Sequence, residues 1–525
     1  MFRIHRLLPL LALAALACQT LTRLGGDEPT PTAIPATESR ATSVPVATPT
    51  PTDTGGSEAR PTPTAQPTLA AAFDDLDQFR AALRPEFAGD VDLFLSATRY
   101  NIEVTLRFNP DGSATLTGRE RIRYANQQAF ALDDIYLMLW PNGGAQYLSR
   151  MKLGRVTVAG SEVQPVMESD DLAARLPLPA PLAPDESVDL SAEFTVEAFP
   201  GVDANGVARF GLTNGILLAP TFYPLIPRIV DGEWQTMPAP PGGDTTNSDT
   251  ALYVWRVTAP SDLVIVATGT VVASAQSGDT QTQTLVTGPM RDLALVVGPL
   301  QLTQRTVDGI ALNAYVLEQN AVFAEKMLDY AEGQVKTLEA EVGPYPFAEL
   351  DLVDTPGPAG IEYPGEVFIG IGDGSDFFEV ATVHEVGHQW FYSLIGDDHE
   401  AAATYTEVLY SENIHGPRAA RGMLDFFWDA LSFTDQPDLP IGRPVADYAD
   451  YGTIVYLKGA LFFDALRREM GDETFFAFLH NYYDAYRYGF ATSKDFQAVA
   501  EQTCACDLGA LFDLWVYNGG TVTKP

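Results

Sequence analysis

The sequence predicts a multi-domain protein in which an all-β N-terminal domain precedes an α+β domain. Three observations carry that reading. The chain has 525 residues, more than one hydrophobic core supports. From about Tyr100 to Leu302 the apolar residues alternate or fall in short blocks, which is the period of strands. From about Ala311, after a few more strand-like runs, the period lengthens to that of amphipathic helices. With 46% hydrophobic and 10% aromatic residues there is material for both cores, so the chain as a whole is not disordered.

Residues 1–18 have the layout of an export signal: Arg3 and Arg6, no acidic residue, then an apolar run from Leu7 to Ala17. That run is too short for a membrane span, which needs about 20 residues. It ends Ala15-Leu16-Ala17-Cys18, a cleavage-type sequence set directly before a cysteine, and resembles a bacterial lipoprotein signal with Cys18 as the lipidation site. Secretion with an unmodified Cys18 is the alternative, and both place the protein outside the cytoplasm, with a membrane reached only through a lipid on Cys18. Residues 19–72 read as a disordered stalk, because 20 of the 42 residues from Asp27 to Thr68 are Pro or Thr and none is aromatic.

Residues 73–302 form the predicted β domain, with a short leading helix around Phe73 to Leu83. Alternation is clear in Tyr100 to Leu106, which is followed by the turn Asn109-Pro110-Asp111-Gly112 and a return strand from Ala114. Leu252 to Val257 and Leu263 to Val272 are further strands. Residues 303–525 are the predicted α+β domain. It has strands at Ala311 to Leu317, Leu350 to Val353 and Val367 to Gly370. Helices are expected at Ala321 to Glu341, Phe377 to Ile395, Thr404 to Glu412 and Thr453 to Met470, and Asp472 and Ser493 as N-caps of two more.

The formal charge of −37 argues against a nucleic-acid partner, since phosphate contacts need Lys and Arg in excess. Three cysteines cannot build a disulfide framework. Cys504 and Cys506, one residue apart, make a poor metal motif, and a bridge between them is expected to be strained and to have at most a local role. The chemistry lies instead in His384-Glu385-Val386-Gly387-His388. On a helix, positions i and i+4 lie one above the other, so both imidazoles reach one ion with Glu385 beside it. A catalytic zinc needs a third protein ligand and an open position for water. Glu407, nineteen residues after His388, is the carboxylate expected to complete the set, with Glu400 and Glu412 as nearby alternatives. His399 and His415 fall outside the motif and are expected at the surface.

These residues resemble the gluzincin zinc metallopeptidases of the aminopeptidase N and leukotriene hydrolase type. The resemblance rests on His384-Glu385-x-x-His388, eighteen intervening residues and Glu407. It is extended by His388-Gln389-Trp390-Phe391-Tyr392, by Gly360-Ile361-Glu362-Tyr363-Pro364-Gly365 and by Tyr456-Leu457-Lys458-Gly459-Ala460. It implies a saddle-like β domain and a thermolysin-like catalytic domain, one Zn2+ on His384, His388 and Glu407, and peptide substrates. Glu385 would be general base and then acid, and Tyr456 would donate to the oxygen that gains charge. Glu362 would bind the substrate α-ammonium, and the main chain at Gly360 and Ile361 would pair with the peptide, which makes the expected activity N-terminal trimming. Lys458 and Gly459 are given packing roles.

The sequence departs from that family at Thr404-Tyr405-Thr406-Glu407-Val408, where Trp, an apolar residue and Asn or Asp usually precede the ligand. Ile361 stands in place of the customary Met. Only 118 residues follow Glu407, so the smaller bacterial branch is implied, without the large helical C-terminal domain and with a more open cleft. Two rival readings remain at this stage: a zinc endopeptidase, and a surface-tethered peptide-binding protein that has lost catalysis.

Overall fold

The computed structural model describes residues 75–144, 147–202, 209–238, 248–356, 360–372, 374, 376–396 and 400–525. The export signal, Cys18, the stalk and His399 lie outside the described residues. The alternation that begins at Tyr100 becomes strand Arg99–Phe108, with Tyr100, Ile102, Val104 and Leu106 all buried. Its turn closes by a bond from Asn109 N to Ser113 O (2.8 Å), and the return strand Ala114–Ala125 pairs antiparallel with it. The resulting eight-stranded sheet runs, edge to edge, Thr270–Ser277, Thr280–Val286, Leu252–Pro260, Arg99–Phe108, Ala114–Ala125, Ser187–Ala198, Ser149–Val158 and Ser161–Val163. A four-stranded, a three-stranded and a two-stranded sheet complete a multi-sheet β domain.

Two local readings are refined. The run Leu263 to Val272 is not one strand: Val264–Ala267 lies in the four-stranded sheet and Thr270–Ser277 in the eight-stranded one. The switch is made at Gly269 (φ 106), where a side chain would meet the Val286 carbonyl. The leading helix is two 3-10 stretches, Asp77–Ala82 and Pro85–Phe94, divided at Pro85, which has no N–H to continue the first. Leu83 bridges to Phe347, and Arg84 N donates to Pro346 O (2.9 Å), so this segment is hydrogen-bonded to the second domain.

That domain is built on a five-stranded sheet in the order Leu300–Val307, Ile310–Leu317, Glu349–Asp354, Glu366–Ile369 and Gly360–Ile361. Its first strand begins just ahead of the predicted boundary. Helices follow: α1 (Ala324–Glu341), α2 (Asp376–Gly387), α3 (Glu400–Tyr410), α4 (Pro417–Leu431), α5 (Gly459–Met470), α6 (Asp472–Tyr486) and α7 (Ser493–Cys504). The buried residues of α1, among them Met327, Leu328, Ala331, Val335 and Leu338, recur at the helical period. Among the described residues no helix is long and apolar enough to cross a membrane.

The two predicted N-caps are each one residue off. Gly471 (φ 78) opens α6, because the Asp472 carboxylate is taken by Arg467 Nε (2.9 Å). Thr492 caps α7 in a reciprocal capping box with Asp495. Cys504 and Cys506 are bridged: Ala505 adopts a left-handed conformation (φ 51) and brings their Cα atoms to 5.2 Å, within ordinary disulfide range. The bridge closes the turn after α7, a local role.

In the β domain, Glu120 is 2% exposed between Ile102 and Ala192 on the neighbouring strands, and neither carboxylate oxygen has a hydrogen-bond partner among the described residues. Burial raises its pKa well above the usual carboxylate value. A raised folded-state pKa leaves stability intact below the unfolded value and erodes it as pH rises towards the folded one. Glu120→Met is therefore expected to be the more stable protein above acid pH. Its advantage in denaturant melts should grow by up to about 1.4 kcal/mol per pH unit across that window. An advantage independent of pH would contradict the assignment.

Candidate active site

Helix α2 carries His384 and Glu385 and ends at Gly387, earlier than predicted. His388 keeps helical placement because its N–H still bonds His384 O (3.2 Å). Beyond it the chain turns through shorter and longer backbone bonds, from Trp390 N to Gly387 O and from Ser393 N to His388 O. The two imidazoles stand edge to face with centroids 4.6 Å apart, and their Nε2 atoms are 3.0 Å apart. Two nitrogens aimed at one point is the arrangement the i, i+4 spacing predicts.

The carboxylate nearest both Nε2 atoms is that of Glu400, while Glu407 meets His384 at its other nitrogen. Glu400 Oε2 lies 3.2 Å from His384 Nε2 and 3.4 Å from His388 Nε2. Separations of 3.0 to 3.4 Å are those expected along the edges of a tetrahedron with bonds of about 2.0–2.1 Å, so these atoms suit zinc. Glu407 Oε1 instead lies 2.8 Å from His384 Nδ1, on the far side of the ring. An imidazole presents its two nitrogens in divergent directions, so Glu407 backs His384 rather than joining it at the Nε2 point. His388 is held in the same way, with its Nδ1 3.1 Å from Phe391 O.

Helix α3, predicted over Thr404 to Glu412, starts at Glu400, and all eleven of its residues are buried. Glu400 and Glu407 are two turns apart and share one face, so a single rod delivers both carboxylates to opposite nitrogens of His384. Burial opposes a charge on His384, but the hydrogen bonds with Glu400 and Glu407 outweigh it and raise the pKa well above the usual histidine value. Burial pushes the Glu407 pKa up, with His384 pulling it back.

Glu362, Gly360 and Ile361 gather on the other flank. Atoms of Glu362, Glu385 and His388 lie within 4.8 Å of one another, and both carboxylates are buried. Gly360–Ile361 is the edge strand of the five-stranded sheet, and a Cβ on Gly360 would overlap the Glu385 side chain, so only glycine fits there. The Tyr456 ring stacks on His384, with centroids 5.6 Å apart and planes 11° from parallel. It lies in a wide helical turn, Gly452–Lys458, rather than the regular helix predicted. Lys458 has the expected packing role, its Nζ donating to the carbonyls of Pro437 (2.7 Å) and Leu439 (2.6 Å). His415 is half exposed and bonds Glu379 (2.9 Å), away from the site.

One contact the sequence did not reveal is Gln389. Its Oε1 accepts from Gly365 N (2.8 Å), and its Nε2 donates to Tyr363 O (3.2 Å). This clamps the loop bearing Glu362 to the residue after His388. The sequence marks Gln389 only as part of the stretch His388-Gln389-Trp390-Phe391-Tyr392, with nothing to show what it grips.

Two histidines and a glutamate converging from adjacent helices, over a sheet whose edge strand lines the same space, define a gluzincin-type metallopeptidase centre. Comparisons agree. Residues 375–515 match the family described as the Peptidase family M1 domain. Aminopeptidase N of Streptomyces lividans is 25% identical over 209 residues, 34% of this chain and 24% of the relative. Aminopeptidase M1-A of Oryza sativa subsp. japonica is 22% identical over 259 residues, 43% of this chain and 29% of the relative. The chain thus spans less than a third of either relative's length. The crystal structure of an M1 zinc metallopeptidase from Deinococcus radiodurans superposes with a TM-score of 0.63 at 21% identity, covering 82% of this chain and 95% of that one. A form of it bound to a Tyr-Ser-Ala substrate gives 0.62 at 19% identity, with coverage of 82% and 95%. Residues 375–515 thus match the M1 peptidase domain, and the fold is that of the two-domain M1 zinc metallopeptidase structure.

Metal analysis tests the two glutamates separately. Glu400→Gln should purify without stoichiometric zinc. Glu407→Gln should keep its zinc but bind it about 10- to 100-fold more weakly in chelator competition, the usual cost of losing a carboxylate behind a ligating histidine.

Proposed function

We propose that this protein is a zinc-dependent aminopeptidase that removes N-terminal residues from peptides outside the cytoplasm. One Zn2+ would be held by His384, His388 and Glu400, with Glu407 orienting His384. Bound there, zinc supplies Lewis acidity and lowers the pKa of a water towards 7. Glu385 takes the proton from the attacking water and later delivers it to the leaving amine. Tyr456 donates its phenolic hydrogen to the substrate carbonyl oxygen as that oxygen gains charge. The edge strand Gly360–Ile361 pairs with the peptide main chain.

The observation that carries the exopeptidase reading is the convergence of Glu362 with Glu385 and His388. A buried carboxylate fixed that close to the reacting groups suits the α-ammonium of a first residue and leaves little room for chain beyond it. An extracytoplasmic location is supported by the Arg3, Arg6 and Leu7 to Ala17 pattern and by the Cys504–Cys506 disulfide, which suits an oxidising compartment. Lipidation at Cys18 would tether the protein to a membrane, and Cys18→Ser should then move it from the membrane to the soluble fraction.

Hydrolysis of aminoacyl chromogenic substrates, abolished by a zinc chelator and restored by zinc, is the expected result. Glu385→Gln should lower kcat by about 10²–10⁴-fold with zinc retained. Acetylating the substrate N-terminus should stop cleavage, and an enzyme indifferent to acetylation would be an endopeptidase instead.

A further inference from the structure

The turn that follows His388 is held from outside its own domain. Arg291 belongs to the segment between strands Thr280–Val286 and Leu295–Gly298 of the β domain, and its side chain is 2% exposed. Its Nε donates to Tyr392 O (3.0 Å) and Ser393 O (3.1 Å), and Nη2 approaches Leu394 O (3.5 Å). Nη1 reaches Ser248 O (3.4 Å), Nη2 also bonds Gly489 O, and the guanidinium carbon sits 4.0 Å from the Phe490 ring centroid. A planar five-donor cation thus donates to main-chain carbonyls, three of them consecutive and within six residues of His388.

The residue at the head of that turn is strained. Tyr392 has φ 132, a conformation that costs a residue with a side chain about 1–3 kcal/mol and persists only where its surroundings enforce it. The preceding carbonyl, Phe391 O, is the partner of His388 Nδ1 and therefore fixes which way His388 Nε2 points. Arg291, Tyr392, Phe391 and His388 form one continuous chain of contacts from the β domain to the metal point.

We propose that Arg291 is a positioning residue for His388, so that metal affinity in the catalytic domain depends on a cation supplied by the β domain. The proposal rests on the zinc site described above. Lysine at this position keeps the charge but cannot fork to several carbonyls. Glycine at position 392 removes the strain that the guanidinium offsets.

The test measures zinc affinity by chelator competition and the visible spectrum of the cobalt-substituted protein, neither of which needs turnover. Arg291→Lys is expected to bind zinc about 10- to 100-fold more weakly and to show an altered cobalt spectrum. It should also lower kcat with KM little changed. Adding Tyr392→Gly to Arg291→Lys should recover part of the affinity, a rescue that general destabilisation would not give. Arg291→Lys with the wild-type affinity and spectrum overturns the proposal, and so does a double variant no better than the single one. Should Arg291→Lys fail to fold, Tyr392→Gly alone serves: unchanged or tighter zinc binding agrees with relieved strain, and weaker binding overturns it. Wild-type protein that binds no zinc would instead defeat the metal site itself.

Discussion

Two imidazole nitrogens 3.0 Å apart in a buried space are the constraint around which the catalytic domain is arranged. Such proximity calls for either a hydrogen bond between the two nitrogens or an ion between them, and each ring must be stopped from rotating away. The restraint is applied from behind, by Glu407 on His384 Nδ1 and by Phe391 O on His388 Nδ1. Helix α3 is buried along its whole length because both its carboxylates must reach a point inside the domain, with Tyr405 stacked on Phe463 helping to seat it.

The β domain contributes to the same geometry. Thr268, which accepts from Ala294 N through its hydroxyl oxygen (2.9 Å), donates to Pro364 O (3.2 Å) in the loop that bears Glu362. Trp255 Nε1 donates to the Thr268 carbonyl (3.0 Å), so this contact is anchored in the eight-stranded sheet. From the other side Gln389 grips the same loop at Tyr363 and Gly365. Glu362 is therefore positioned by two domains at once, within 4.8 Å of Glu385.

Much of this was legible in the sequence, and for a consistent reason. The strands at Tyr100 and Ala311, the helix before His384 and the pairing of His384 with His388 follow from periods of two, three and four residues, which are local. Glu362 and Tyr456 became visible through resemblance to a family. The helix ends at Gly387 and Tyr410, the sheet switch at Gly269 and the wide turn around Tyr456 were not legible, because tertiary packing sets them. The spacing after His388 singles out Glu407, whereas the structure brings Glu400 nearer to both Nε2 atoms and sets Glu407 at His384 Nδ1, because that depends on where α3 enters the site.

Because Glu400 and the carboxylate that backs His384 ride on one helix two turns apart, their mutual position is independent of the chain that leads into that helix. Any motion that tilts or slides α3 therefore acts on both nitrogens of His384 together, withdrawing the carboxylate behind the ring along with the one before it.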